Sequence, residues 1–333
     1  MIKLKTLKLR KTVKTVLLKN RTLGKQSNVM LKRTILIENK FSITTKNNQL
    51  VLKSEIKEST IPIEDIGFLV LDHNEIYLSI PAMNLLVENN TSIIICGKNH
   101  LPNGMLLNLN SHHIQQEIFK NQIEASIPLK KQLWQQTIIE KIKNQGQLLE
   151  KITHSKNSFV FLASKVLSGD STNMEGVAAQ QYWKHFPQPN LEMNGIKRER
   201  YGDYPNNFLN YGYAILRAAT ARALSGSGLL NTLGIHHKSK YNAFALADDI
   251  MEPFRPIVDE KVFEIMQHYD EQELNTTIKA ELLQILTRTV YFKEEKSPLM
   301  IALQKTASSL QQCFTGNRKK IKYPELWSLT DIE

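Results

Sequence analysis

Cysteine occurs only twice in the 333 residues, at Cys96 and Cys313. The two lie too far apart for a zinc clip, and they cannot supply the disulfide framework of a small secreted domain. Both sit among apolar neighbours and read as small core residues of a reduced, cytoplasmic protein. Long hydrophobic runs are also lacking. None approaches the about 20 apolar residues that span a bilayer, so no membrane partner is expected. Nucleotide-binding glycine patterns are missing as well. "SGSGLL", containing Gly226 and Gly228, follows a helical pattern instead of a strand and lacks the third glycine of a dinucleotide fingerprint. There is no Walker A sequence, no H-E-x-x-H, no internal repeat and no low-complexity tract.

Acidic residues are absent from residues 1–29, which hold nine Lys or Arg. The rest of the chain carries 34 basic against 32 acidic residues, so the net charge of +11 belongs mostly to this leader. Any nucleic-acid site on the nearly neutral body must therefore be a local patch. The leader has three readings: a basic arm for DNA, an organellar transit peptide, or sequence upstream of the true start. A second methionine, Met30, directly before the strand-like "MLKRTILI", favours the third.

The length suits two domains, each able to bury a core. The patterning predicts an α+β chain, with a small N-terminal β domain over residues 30–110 and a larger all-α domain over 111–333. "KRTILI" and "QLVLK" flank "TTKNN", where Asn47 and Asn48 suit a hairpin turn. "IGFLVL" and "TSIIICG" read as strands buried on both faces. "SIPAMNLLVENN" reads as a short helix capped by Ser79, with Pro81 in its first turn. After His112 the period is helical. "KKQLWQQTIIEKIKNQGQLLEKI" sets Trp134, Ile138, Ile142 and Leu149 on one face. "NFLNYGYAILRAATARALSGSG" should stop at its glycines. Further helices are expected at about 243–270, 277–292 and 297–314, and residues 186–207 read as a loop.

The chemistry concentrates in "LGIHHKSKYNAFALADDIMEPFRP", Leu233 to Pro256. On a helix from about Ala243, Asp249 and Glu252 are neighbours at i and i+3, and Asp248 and Glu252 at i and i+4. Pro253 cannot donate to the carbonyl of Asp249, so the helix should distort there. Carboxylates among apolar residues either face water or converge on a cation, because an unpaired buried charge is costly. Glu175 is equally ambiguous. Thr172-x-x-Glu175 fits a capping box, a structural role. The pair His112-His113 reads as an exposed helix start. Residue patterns alone leave open a catalytically silent DNA-binding scaffold and a metal-dependent hydrolase of small molecules.

Three motifs carry a resemblance. "MEGVAAQQYW", "NNFLNYGYAILRA" and "GIHHKSKYNAFALADDIMEPFRP", in that order behind a small β domain, resemble the CRISPR-associated integrase of the adaptation module, the first-numbered member of that protein set. "KKQLWQQTIIEKIKNQ" also fits, and "LADDIMEPFRPIVD" is similar to the form found in type II systems. The resemblance spans roughly residues 30 to 300.

It implies a metal-dependent DNA endonuclease and integrase that inserts short foreign DNA fragments (spacers) into a CRISPR array by attack of a 3′-hydroxyl on a phosphodiester. It carries the metal-binding and catalytic roles onto Glu175, His237 and Glu252, with Glu252 emerging at the helix surface toward the other two. Asp249 matches a further acid and is expected to hold a metal-bound water or to orient His237. His236 matches nothing and reads as a neighbour. Lys240 and Arg255 would hold DNA phosphate. Two carboxylates and an imidazole suit Mg²⁺ or Mn²⁺. The implied partners are double-stranded DNA, a second copy of the chain forming a homodimer, the small second-numbered CRISPR-associated protein in a heterohexamer-type complex, and the type II RNA-guided effector nuclease, all in a prokaryotic cytoplasm.

Overall fold

Asn47 and Asn48 take left-handed backbone angles, φ 51° and 56°, and close a hairpin between β2 (Phe41–Lys46) and β3 (Gln49–Lys53). Two successive positive φ values match the right-handed twist of paired strands, and asparagine tolerates them better than most residues. The computed structural model describes residues 32–109, 112–189, 193–200, 202–293 and 295–328, so the basic leader lies outside the described residues. The chain divides into two compact units between Leu106 and Leu107.

In the first unit, β4 (Glu58–Pro62) extends the hairpin and β6 (Ile76–Leu78) joins it in parallel, giving the order β4-β3-β2-β6. A second sheet runs β1 (Arg33–Ile37), β5 (Ile66–Leu71), β7 (Ser92–Cys96), β8 (Pro102–Leu106). Its first three strands are parallel and β8 is antiparallel. Helix α1 (Ile80–Glu88) starts at Ser79, whose side chain accepts from the Ala82 N–H. Ile35 and Ile37, Ile43, Leu50 and Leu52, Ile66 and Leu69, and Leu86 of the helix share one buried cluster. "KRTILI" is not the partner of "QLVLK": "FSITTK" is, with alternate residues buried, while β1 lies in the other sheet beside β5. The polar break Glu38-Asn39-Lys40 separates the two strands.

The second unit is helical around α3 (Ile127–Thr153), which buries Trp134, Ile138, Ile142 and Leu149. Before it stands α2 (Gln115–Ile123), and after it α4 (Phe159–Ser164), α5 (Met174–His185) and α6 (Asn206–Gly226). Helix α6 stops at its glycines, Gly228 taking φ 75°. Then come α7 (Ala245–Met251), α8 (Arg255–His268), α9 (Thr276–Leu283) and α10 (Leu299–Phe314). The unit is not purely α-helical. β9 (Pro187–Gln188) pairs with β10 (Met193–Asn194) inside the expected loop. β11 (Thr289–Phe292) pairs with β12 (Glu295–Pro298). The helix expected over 277–292 therefore ends early, since Thr-Val-Tyr-Phe is β-branched and aromatic and finds a strand partner. No helix among the described residues is long and apolar enough to cross a membrane.

Candidate active site

Lys141 lies on the buried face of α3, with its side chain among residues that exclude water; only 8% of the residue is exposed. Its ammonium is 2.6 Å from Glu175 Oε1 and 2.6 Å from Glu252 Oε2. The contact with Glu175 is a hydrogen bond. The contact with Glu252 Oε2 is an equally close buried ion pair. Burial by itself would lower the lysine's pKa, but the two carboxylates outweigh it and hold the ammonium protonated above the ordinary range. Two acids from separate helices thus converge on one cation.

Glu175 reaches this position because its helix start is capped by other residues. Asn173, in a left-handed conformation at φ 54°, accepts from the Gly176 N–H. The Asp170 carboxylate accepts from the N–H groups of Met174 and Glu175 at 2.8 and 3.0 Å. The Thr172–Glu175 capping box therefore does not form, and the Glu175 carboxylate is free to turn toward Lys141.

Glu252 owes its place to Pro253. Residues 252–254 form a single tighter 3₁₀ turn between α7 and α8, as expected where proline removes a donor. Asn144 of α3 donates to the Pro253 carbonyl at 2.7 Å and fastens the kink. Glu252 does not emerge at the helix surface; it faces inward and is 4% exposed. Arg255 Nε donates to its Oε1 at 2.8 Å. Burial pushes the Glu252 pKa up, but Arg255 and Lys141 together pull it down to about 2. Arg255 also lies over the Tyr213 ring, 4.6 Å from its centre, so its guanidinium is committed to Glu252 and the ring. Asp248 is bound away from the centre, paired bidentately with Arg217 at 2.6 and 2.9 Å.

The second half of the site is built on Asp249, which is 0% exposed. Its carboxylate accepts from the backbone N–H groups of Ile235, His236 and His237 at 2.7, 2.9 and 3.2 Å. Its Oδ1 also lies 2.5 Å from His237 Nδ1. That bond is the main reason the imidazole titrates above its ordinary pKa; partial burial opposes it, and the charges of Asp249, Glu252 and Asp248 add to it. With Nδ1 committed to Asp249, Nε2 is the nitrogen left for a metal or substrate. Gly234 permits the arrangement: a Cβ there would lie 2.6 Å from the His237 carbonyl oxygen and 2.7 Å from Asp249 Oδ2. His236 stacks on Trp134, rings 4.1 Å apart and 4° from parallel. The loop is anchored by buried Gln122, which donates to the Leu230 and Leu233 carbonyls and accepts from the Leu230 N–H. Lys240 is exposed and lies over the ring of exposed Tyr241.

Among the described residues, no three His, Cys, Asp or Glu side chains form a ready cluster for a metal ion. Glu175 and Glu252 are nevertheless aimed at a common positive charge, and the oxygen-rich donor set is of the kind hard divalent cations prefer. The residues fit such an ion in chemistry, with Lys141 as the cation they now hold. The sequence reading missed Lys141, although its spacing from Trp134 and Ile138 sets it on the apolar stripe of α3. It also missed the network behind Arg255. There, Asp259 accepts from Tyr182 at 2.8 Å and from Tyr213, and burial raises its pKa to about 6 against those two hydrogen bonds.

The family model described as CRISPR associated protein Cas1 matches residues 34–294. The CRISPR-associated endonuclease Cas1 of Neisseria meningitidis serogroup C is 33% identical over 305 residues, covering 90% of this chain and 98% of the relative. Among solved structures, a casposase bound to integration product superposes with a TM-score of 0.72 at 20% identity, covering 88% of this chain and 93% of that one. A Cas6-RT-Cas1–Cas2 complex gives a TM-score of 0.68 at 20% identity, covering 93% of this chain and 37% of that chain.

Proposed function

The chain belongs to the CRISPR-associated Cas1 family, and from that membership we propose that it is a metal-dependent DNA endonuclease and integrase of the type II kind, inserting short DNA fragments into a CRISPR array. The observation that carries this reading is the convergence of Glu175 and Glu252 on one buried positive charge, beside a histidine held by Asp249. The Neisseria relative is a CRISPR-associated endonuclease, and the casposase neighbour is bound to integration product; both support the assignment.

In this reading Glu175, Glu252 and His237 are the residues that would hold Mg²⁺ or Mn²⁺. When bound, the ion supplies Lewis-acid polarisation of the scissile phosphate. The chain's own residues do the rest. Asp249 fixes the ring of His237 in orientation and tautomer, presenting Nε2 outward. Arg255 keeps Glu252 ionised and buried in one position. Lys240, exposed on the loop after His237, is free to meet a DNA phosphate, whereas Arg255 acts through Glu252. Attack by a DNA 3′-hydroxyl forms one phosphodiester and breaks another, so no nucleoside triphosphate and no protein nucleophile are needed. The solved complex in which Cas1 occurs with Cas2 supports a small Cas2-type partner. The working assembly proposed is homodimers of this chain bridged by that partner on duplex DNA in the cytoplasm, alongside a type II effector nuclease.

The test is a joining assay. Protein, Cas2-type partner, a duplex with free 3′-hydroxyls and a repeat-bearing plasmid are incubated with EDTA, Mg²⁺ or Mn²⁺. Joined product should require a divalent ion and disappear in His237→Ala. Tight duplex binding with no joining under any ion would instead favour a DNA-binding scaffold.

A further inference from the structure

The buried ammonium of Lys141 has no place in the proposed chemistry as so far described, yet it lies 2.6 Å from each of two implied metal-binding carboxylates. We propose that Lys141 is a built-in placeholder for the divalent cation: it holds Glu175 and Glu252 converged in the metal-free protein, and the incoming ion displaces it. This rests on the metal-dependent reading above.

Three observations carry it. First, Glu175 and Glu252 come from different helices, and Lys141 is the cation they share at 2.6 Å each. Two carboxylates brought together without a cation would repel each other, and burying them would cost more still. Second, their surroundings differ in rigidity. Glu252 is fixed by Arg255 through its other oxygen and by the Asn144 bond to Pro253, whereas the lysine is an ammonium on a flexible four-carbon stem that can swing aside. Third, the Glu175 side chain is 27% exposed whereas those of Lys141 and Glu252 are 10% and 5% exposed, so the buried pair opens toward solvent on the Glu175 side, from which a cation can enter.

Competition of this kind has a signature that a plain structural role lacks. Removing the ammonium should destabilise the metal-free protein but tighten metal binding, since the ion no longer has to displace a charge. The experiment compares wild type, Lys141→Met and Lys141→Arg, with Mn²⁺ titrated in the absence of DNA. Free Mn²⁺ is read by electron paramagnetic resonance and melting temperature by scanning fluorimetry. Lys141→Met should melt below wild type in EDTA, bind Mn²⁺ about tenfold tighter, and regain most of the lost melting temperature at saturating Mn²⁺. Lys141→Arg, which keeps the charge, should bind Mn²⁺ no tighter than wild type. The proposal is overturned if Lys141→Met binds Mn²⁺ with wild-type or weaker affinity, or if saturating Mn²⁺ leaves its melting deficit unchanged. Should Lys141→Met fail to fold in EDTA, refolding with Mn²⁺ decides: recovery supports the placeholder and continued failure overturns it. A wild-type protein that neither binds Mn²⁺ nor joins DNA would sink the proposed function itself. One that does both, beside an unshifted Lys141→Met, would sink only this inference.

Discussion

His237 meets Asp249 twice: its backbone N–H donates to Oδ1 at 3.2 Å, and its ring Nδ1 lies 2.5 Å from the same oxygen. One carboxylate oxygen therefore sets both where the residue sits and which way its ring faces. Because the bond favours imidazolium, the ring titrates above the ordinary 6.5. The sign follows from linkage. A histidine whose folded pKa is raised adds stability that is full below the unfolded value and is lost as pH rises through the folded value. Metal binding runs the other way, because only the neutral ring can be a ligand.

Asp249→Asn should lower the His237 pKa toward the ordinary value, as read from imidazole proton shifts in an NMR titration of the metal-free protein. Joining activity should fall about 10–100-fold, the usual cost of losing a group that orients a metal ligand, and raised Mn²⁺ should restore part of it. An unchanged His237 titration in the variant would show that the Asp249 bond is not what raises it.

Gly234 has a role that backbone freedom does not explain, for what it provides is space. A methyl group at this position would meet Asp249 Oδ2 at 2.7 Å and the His237 carbonyl oxygen at 2.6 Å, both far inside normal contact. Gly234→Ala should displace the carboxylate from its three backbone donors and lower activity about 10–100-fold, with α-helical circular dichroism unchanged. Full activity in that variant would mean that the loop can shift without moving His237.

Much of this was legible in the sequence. Period-two and continuous apolar runs marked the strands, Asn47-Asn48 marked the hairpin, and Pro253 marked the break that turns Glu252. Strand partners were not legible, because "KRTILI" and "FSITTK" are both good strands and only the packing assigns them to different sheets. The Thr172–Glu175 box failed because a helix start has several competing caps, and Asp170 with Asn173 bound the free N–H groups better. Lys141 shows the deeper limit. A lysine on an apolar stripe is visible in the sequence, but its partners lie on α5 and beyond α7, and no spacing rule reaches across that distance.

Glu252 supplies a pH prediction of opposite sign to that of His237. Its folded pKa of about 2 lies below the ordinary 4.5, held there by Arg255 and Lys141 against burial. A depressed carboxylate adds stability that is present above the unfolded pKa and is lost as pH falls toward the folded one. Glu252→Gln, measured by urea unfolding in EDTA, should cost about 3 kcal/mol at pH 7, since it leaves buried Lys141 and half-buried Arg255 short of a partner. The difference from wild type should shrink steadily between pH 4.5 and 2. A difference that stayed constant across that range would place the cost in packing instead of charge.

The adjacent histidines offer the sharpest separation of roles. His236 lies flat on Trp134 with ring centres 4.1 Å apart, and what it gives Asp249 is its backbone N–H, which any residue but proline retains. His237 gives Asp249 its ring and keeps Nε2 for another partner. Replacing His236 by Phe keeps an aromatic face on Trp134 and keeps the N–H, so stability should stay within about 1 kcal/mol, the scale of one aromatic pair. Joining activity and the Mn²⁺ midpoint should also stay near wild type. His237→Ala removes the nitrogen that no neighbour can replace, and joining should be lost at every Mn²⁺ concentration, whereas its melting temperature in EDTA should fall most at acidic pH, where the bond to Asp249 is at full strength. Parallel metal titrations of the two variants check this directly. An inactive His236→Phe beside an active His237→Ala would exchange the two assignments and make the stacked ring, not the one bound to Asp249, the working histidine.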